Sequence, residues 1–122
     1  MSKKIKAQKI KAWGLKKCDT TMKALDYIKA KKTIVEFTDY STDKPTKEQV
    51  TRWSKALGGW EKMINRAGYT WRGLPPSEIE GLTEARAVKL AMEHTSLIRR
   101  PLIEYEDGSV TAGFPPKVKG LF

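Results

Sequence analysis

Between Lys9 and Phe37 the hydrophobic period of this chain changes twice, and that change constrains its fold more than any other feature. "KIKAWG" (Lys9 to Gly14) alternates apolar Ile10 and Ala12 with lysines, a period of two that suits a strand with one buried face. "CDTTMKALDYIKA" shifts to helical spacing: Asp19, Thr20 and Thr21 offer capping oxygens, and Met22, Leu25 and Ile28 fall on one face. "TIVEF" (Thr33 to Phe37) is β-branched and aromatic, so a second strand follows. A strand, a helix and a strand in so short a stretch form a βαβ crossover, which makes the two strands parallel.

The rest of the chain supplies helices and then a hairpin. Thr46 and Gln49 have capping-box spacing, Val50, Trp53 and Leu57 form an apolar stripe, and Gly58-Gly59 ends that helix. "EKMINRAGYTWRGL" reads as a helical turn broken at Gly68, and "PPSEIEGLTEARAVKLAMEHTS" as helical turns around Gly81. "PLIEY" and "SVTAGF" flank Asp107-Gly108 as a hairpin, and "PPKVKGLF" closes the sequence with a turn or short helix. This order predicts an α/β thioredoxin-like fold, βαβ plus ββα, with an inserted helical segment. It predicts one domain over residues 1–122, with a basic N-terminal tail over residues 1–8.

Charge and composition narrow the function classes. The formal charge is +10, yet residues 1–32 carry 11 Lys against 2 Asp, while residues 33–122 are nearly balanced, with 13 basic and 12 acidic residues. A lysine-only patch is a poor nucleic-acid signal, because ammonium groups are point charges and base readout favours Arg, Asn and Gln. The N-terminus "MSKKIKAQKIKAWG" has no apolar run able to act as a signal peptide or membrane span. One cysteine cannot form an internal bridge, so the expected address is the cytoplasm. The expected assembly is a monomer, with no membrane or nucleic-acid partner.

That cysteine, Cys18, falls in the turn that leaves the first strand and enters the first helix. Free N–H groups and the dipole at a helix start favour a thiolate, and Lys16 and Lys17 add positive potential, so a lowered pKa is expected. A buried structural cysteine is the alternative; two preceding lysines and a glycine-led turn favour the reactive one. His94 reads as a helix-end residue rather than a general base. One Cys and one His with scattered carboxylates make no metal ligand set.

"WGLKKCDTTMKAL" resembles the opening motif of the arsenate reductase and Spx-like family (ArsC/Spx/YffB). "INRAGYTWRGL" is similar to its central segment and "SLIRRPLI" to its arginine-proline signature. The resemblance runs in order from Lys9 to Phe114, and "YTWR" is most similar to the YffB branch. It implies a catalytic Cys18, a cis-proline at Pro101 that tilts main chain toward the thiol, and an Arg100 that faces the thiol while Arg99 points away. Lys16, Arg72 and Arg100 become candidates to hold the carboxylates of glutathione; Arg72 is equally readable as a solvated surface residue.

Two departures from the family pattern shape the functional expectation. Thr21 stands where Spx-type switches have a second cysteine, which removes an internal disulfide. Phe114 stands where arsenate reductases have one of their oxyanion-holding arginines. The resemblance therefore implies a monothiol oxidoreductase with glutathione as co-substrate, no bound cofactor, and a disulfide or small molecule as substrate. The alternative is a Spx-like transcription-associated regulator, and only that alternative involves contact with RNA polymerase. Arsenate reductase comes third.

Overall fold

The computed structural model describes residues 8–122; the expected basic tail lies, except for Gln8, outside the described residues. Strand β1 (Lys9–Gly14) is followed by helix α1 (Asp19–Lys29) and strand β2 (Ile34–Asp39). Helices α2 (Lys47–Leu57), α3 (Trp60–Met63), α4 (Tyr69–Arg72), α5 (Pro76–Ile79) and α6 (Glu84–Glu93) come next, and a 3-10 turn (Thr95–Leu97) leads out of them. Strands β3 (Leu102–Glu104) and β4 (Val110–Ala112) and helix α7 (Pro116–Lys119) complete the chain. The strand order is β2-β1-β3-β4. β1 and β2 are parallel, β1 and β3 antiparallel, and β3 and β4 antiparallel. This is the thioredoxin-like arrangement that the element order predicted.

The sheet is covered on both faces. Ile10, Ala12 and Ile103 pack against Leu25 and Ile28 of α1, with Phe114 and Phe122 closing that side. Trp13 and Leu102 turn to the opposite face and meet Val50, Trp53, Met63, Val88 and Ala91 from the inserted helices. β1 thus departs from the expected one-sided strand at its C-terminal end. It is a central strand there, and Trp13 is buried edge-on against Trp53 with ring centroids 5.0 Å apart.

Helix α1 also differs in its face. The buried residues are Thr21, Ala24, Leu25 and Ile28, a run at i, i+3, i+4 and i+7, whereas Met22 is 36% exposed. Met22 lies about 100° around the helix from Thr21, and a polar threonine occupies the inner position instead. Helix α2 follows its sequence signal closely. Thr46 Oγ1 accepts from the Gln49 N–H at 3.1 Å while Gln49 Oε1 accepts from the Thr46 N–H at 2.8 Å, and Gly58 closes the helix at φ 93°. The hairpin turn is built as expected: Gly108 has φ 89°, and Asp107 Oδ1 accepts from the N–H and hydroxyl of Ser109.

Glu104 ties α2 to the sheet. Its Oε2 accepts from Arg52 Nη2 at 2.6 Å and its Oε1 from the Trp13 indole at 3.1 Å. Burial pushes this carboxyl up, but Arg52 and the indoles of Trp53 and Trp13 outweigh it, and the pKa lies below the ordinary glutamate value. A depressed folded pKa contributes stability that is present above the unfolded value and lost as pH falls through the folded one. Glu104→Gln should therefore remove part of the acid-induced loss of stability, read as a flatter dependence of Tm on pH below about 4.3. An unchanged slope would show that the carboxylate is not stabilised by folding.

Candidate active site

The thiol is presented by a short turn at the C-terminal end of β1. The Cys18 N–H donates to the Leu15 carbonyl at 3.1 Å, and the Cys18 carbonyl accepts the first helical bond from the Met22 N–H at 3.0 Å. Cys18 itself is the N-cap of α1, extended at φ −94° and ψ 115°, and no side-chain oxygen caps the helix. The expected capping by Asp19, Thr20 or Thr21 does not occur, because all three lie inside the first turn. Asp39, at the end of β2, clamps the approach to the thiol: Oδ2 accepts from the Lys16 N–H at 3.0 Å, and Oδ1 from Ser41. The Ser41 hydroxyl and the Lys16 and Ser41 N–H groups hold Asp39 below the usual carboxylate range.

Beneath the sulfur lies Thr21, fully buried. Its hydroxyl oxygen has no oxygen or nitrogen partner among the described residues, which leaves the Cys18 thiol as the group it acts on. The side chain fits only because residue 14 is glycine: a Cβ there would meet Thr21 Cγ2 at 2.7 Å and Oγ1 at 3.0 Å. Burial alone pushes the Cys18 thiol up, but the Thr21 hydroxyl and N–H and the Arg100 guanidinium outweigh it, and the pKa falls below the ordinary thiol value. A buried hydroxyl without another acceptor is oriented most favourably toward a sulfur that becomes negative.

Arg100 reaches the thiol through the sheet register. The antiparallel pairing Trp13↔Leu102 sets the residues before β3 beside those after β1. Half-buried Arg100 donates from Nη1 to the Ser96 carbonyl at 3.1 Å. Burial opposes its charge, yet Tyr40 and Cys18 keep its pKa above the ordinary value. Pro101 is buried, its peptide bond with Arg100 is cis, and its carbonyl accepts from the Gly113 N–H at 3.0 Å.

The remaining candidates are dispersed. Lys16 and Lys17 are exposed, and the positive charge acting on the thiol is that of Arg100 rather than theirs. Arg72 is exposed on α4 with its guanidinium over the Tyr69 ring, 5.1 Å from the centroid, and Tyr69 is 89% exposed. Helix α4 nevertheless connects to the site, since the Thr70 and Ser96 hydroxyls are 2.7 Å apart and Ser96 holds Arg100. Arg99 is exposed, and its N–H pairs with the Met63 carbonyl at 2.9 Å. Phe114 packs edge-on against Tyr27 of α1, 5.9 Å between centroids. His94 caps α6, and the ligand atoms of Glu78, Glu93 and His94 lie within 4.8 Å of one another. No helix among the described residues is long and apolar enough to cross a membrane.

Tyr40 is the residue that sequence reasoning missed. It follows β2 directly, is fully buried, and donates its hydroxyl to the Ile98 carbonyl at 2.8 Å. Burial pushes its pKa up to about 12. The available signal was its position: in a parallel βαβ unit the C-terminal ends of both strands face one site, and Cys18 and Tyr40 leave those two ends.

Comparison with known proteins agrees with this geometry. The ArsC family matches residues 13–119. An uncharacterised protein of Haemophilus influenzae is 31% identical over 108 residues, covering 88% of this chain and 93% of that one. Among solved structures, a YffB protein is similar at 34% identity and a TM-score of 0.83, covering 91% of this chain and 96% of that one. An arsenate reductase (ArsC) related protein from Brucella melitensis is similar at 31% identity and a TM-score of 0.74, covering 93% and 92%. An arsenate reductase from Vibrio cholerae, at 20% identity, shares the fold with a TM-score of 0.80 over 96% of this chain and 100% of that one. On the extent of these matches, the chain belongs to the ArsC family, a group of arsenate-reductase-related, thiol-based redox proteins.

Proposed function

We propose that the protein is a monothiol oxidoreductase that uses glutathione as co-substrate and acts through Cys18. The observation that carries this reading is the pairing of the lowered Cys18 thiol with Arg100 on one side and Thr21, a residue unable to resolve a disulfide, on the other. The Cys18 thiolate attacks the glutathione sulfur of a mixed disulfide, the Cys18–glutathione disulfide forms, and the substrate leaves as its thiolate. A second glutathione thiolate then attacks the glutathione sulfur on Cys18, giving oxidised glutathione and restoring the Cys18 thiolate. Each step breaks one disulfide and forms one, and the net reaction converts the mixed disulfide and one glutathione thiolate into the substrate thiolate and oxidised glutathione. Arg100, with Lys16 and Arg72 further out, is suited to hold glutathione carboxylates.

Arsenate as substrate is less favoured, because the segment after the hairpin offers the ring of Phe114, packed on Tyr27 and Phe122, in place of a guanidinium. The test is intact-mass measurement after exposure to oxidised glutathione. The folded protein should gain a single glutathione at Cys18, with release on addition of reduced glutathione. A folded protein that stays unmodified while the unfolded chain reacts would mean that the thiol is sealed off and the proposal is wrong.

A further inference from the structure

We propose that Tyr40 is a positioning residue that holds the Arg100 guanidinium in register with the Cys18 sulfur. Three anchors converge on this residue. Its N–H donates to the Gly14 carbonyl at 3.0 Å, fixing it to the end of β1 just before the thiol turn. Its ring is fully buried among the residues that link β1 to the inserted helices. Its hydroxyl donates to the Ile98 carbonyl at 2.8 Å, on the segment that carries Arg100. That bond ties the segment carrying Arg100 to the strand end that precedes Cys18.

Arg100 is then anchored at two levels: its guanidinium donates to the Ser96 carbonyl at 3.1 Å, and the backbone two residues before it is pinned by the Tyr40 hydroxyl at Ile98. A flexible arginine would spend conformational freedom to reach the sulfur; one whose backbone and guanidinium are both anchored has already lost part of it. Tyr40 has no proton free for the thiol and stays neutral at physiological pH, so its influence on Cys18 passes through Arg100.

This inference rests on Cys18 as the reactive thiol but not on the identity of its co-substrate, and the test separates the two. The readout is the Cys18 pKa from the pH dependence of alkylation, followed by the rate of glutathione adduct formation. Tyr40→Phe removes one oxygen and keeps the ring; the thiol pKa should rise, and adduct formation at neutral pH should slow by about threefold to tenfold, the worth of one neutral hydrogen bond. In an Arg100→Ala background the same substitution should change neither quantity, since non-additivity is the signature of action through a shared partner. Arg100→Lys, which retains charge but lacks the planar fork, should raise the thiol pKa as well, and it provides the measurement should Tyr40→Phe not fold.

A wild-type thiol pKa in Tyr40→Phe with only Tm lowered would reduce Tyr40 to a packing residue, and so would a wild-type value in Arg100→Lys. If the wild type forms no glutathione adduct while Tyr40→Phe still raises the thiol pKa, the positioning role stands and glutathione is the wrong co-substrate.

Discussion

Arg100→Ala should weaken equilibrium glutathione adduct formation at Cys18 by about tenfold or more, because a charge-assisted hydrogen bond of this type is worth roughly 1.5–3 kcal/mol. Two effects act together. The thiol loses the only guanidinium among the groups that lower its pKa, so the thiolate fraction at neutral pH falls and the reaction's pH profile moves upward. The incoming tripeptide also loses a partner for a carboxylate. The fold should survive, since Arg100 is only half-buried and makes one bond to backbone, at the half-buried Ser96. The measurement belongs at low ionic strength, where screening does not mask the charge. Equal adduct formation by wild type and variant there would remove Arg100 from the site.

The second large effect concerns stability. Gly14→Ala should destabilise the protein by about 1–3 kcal/mol, the range for forcing an extra methyl into a packed core. The new Cβ would sit 2.7 Å from Thr21 Cγ2, and neither atom belongs to the end of a flexible side chain. Thr21 is β-branched and fully buried on α1, so relief requires the helix start, and Cys18 with it, to move off the strand. Adding Thr21→Ser removes the closest atom and should recover much of the loss. A Gly14→Ala protein with wild-type Tm and wild-type thiol reactivity would show that the helix start has more room than the 2.7 Å approach implies.

Legibility in the sequence followed the range over which each feature is determined. The βαβ unit, the capping box of α2 and the Asp107-Gly108 hairpin depend on a few neighbouring residues, and their residues announced them. Cys18 was legible as a helix-start thiol for the same reason. What acts on it was read less well: adjacent lysines looked like its source of positive charge, but side chains adjacent in sequence diverge in a turn, and the acting cation comes from the far end of the chain. Thr21 was visible only as an absent cysteine, and its burial against Gly14 depends on how α1 docks on β1. Tyr40 gave no local sign, since a tyrosine after a strand is ordinary until the fold brings it to the Ile98 carbonyl, on the segment that carries Arg100. The face of α1 was misread by one position because Met22 is apolar and Thr21 is not, and the tightness of the Gly14 contact favoured the smaller residue inside.

The Trp13↔Leu102 pairing has a kinetic consequence. The βαβ unit closes through nearby residues, but β3 reaches β1 only after some ninety positions of chain have been brought round, a closure that is slow relative to local structure. Until then Cys18 already has its helix start and Thr21, yet no arginine. Thiol acidity is therefore acquired in two instalments, and the second arrives with β3. A chain emerging in order from synthesis would carry a cysteine with only the first instalment through most of its assembly, gaining its full acidity only when the sheet is complete. Time-resolved alkylation of Cys18 during refolding would thus time the docking of β3.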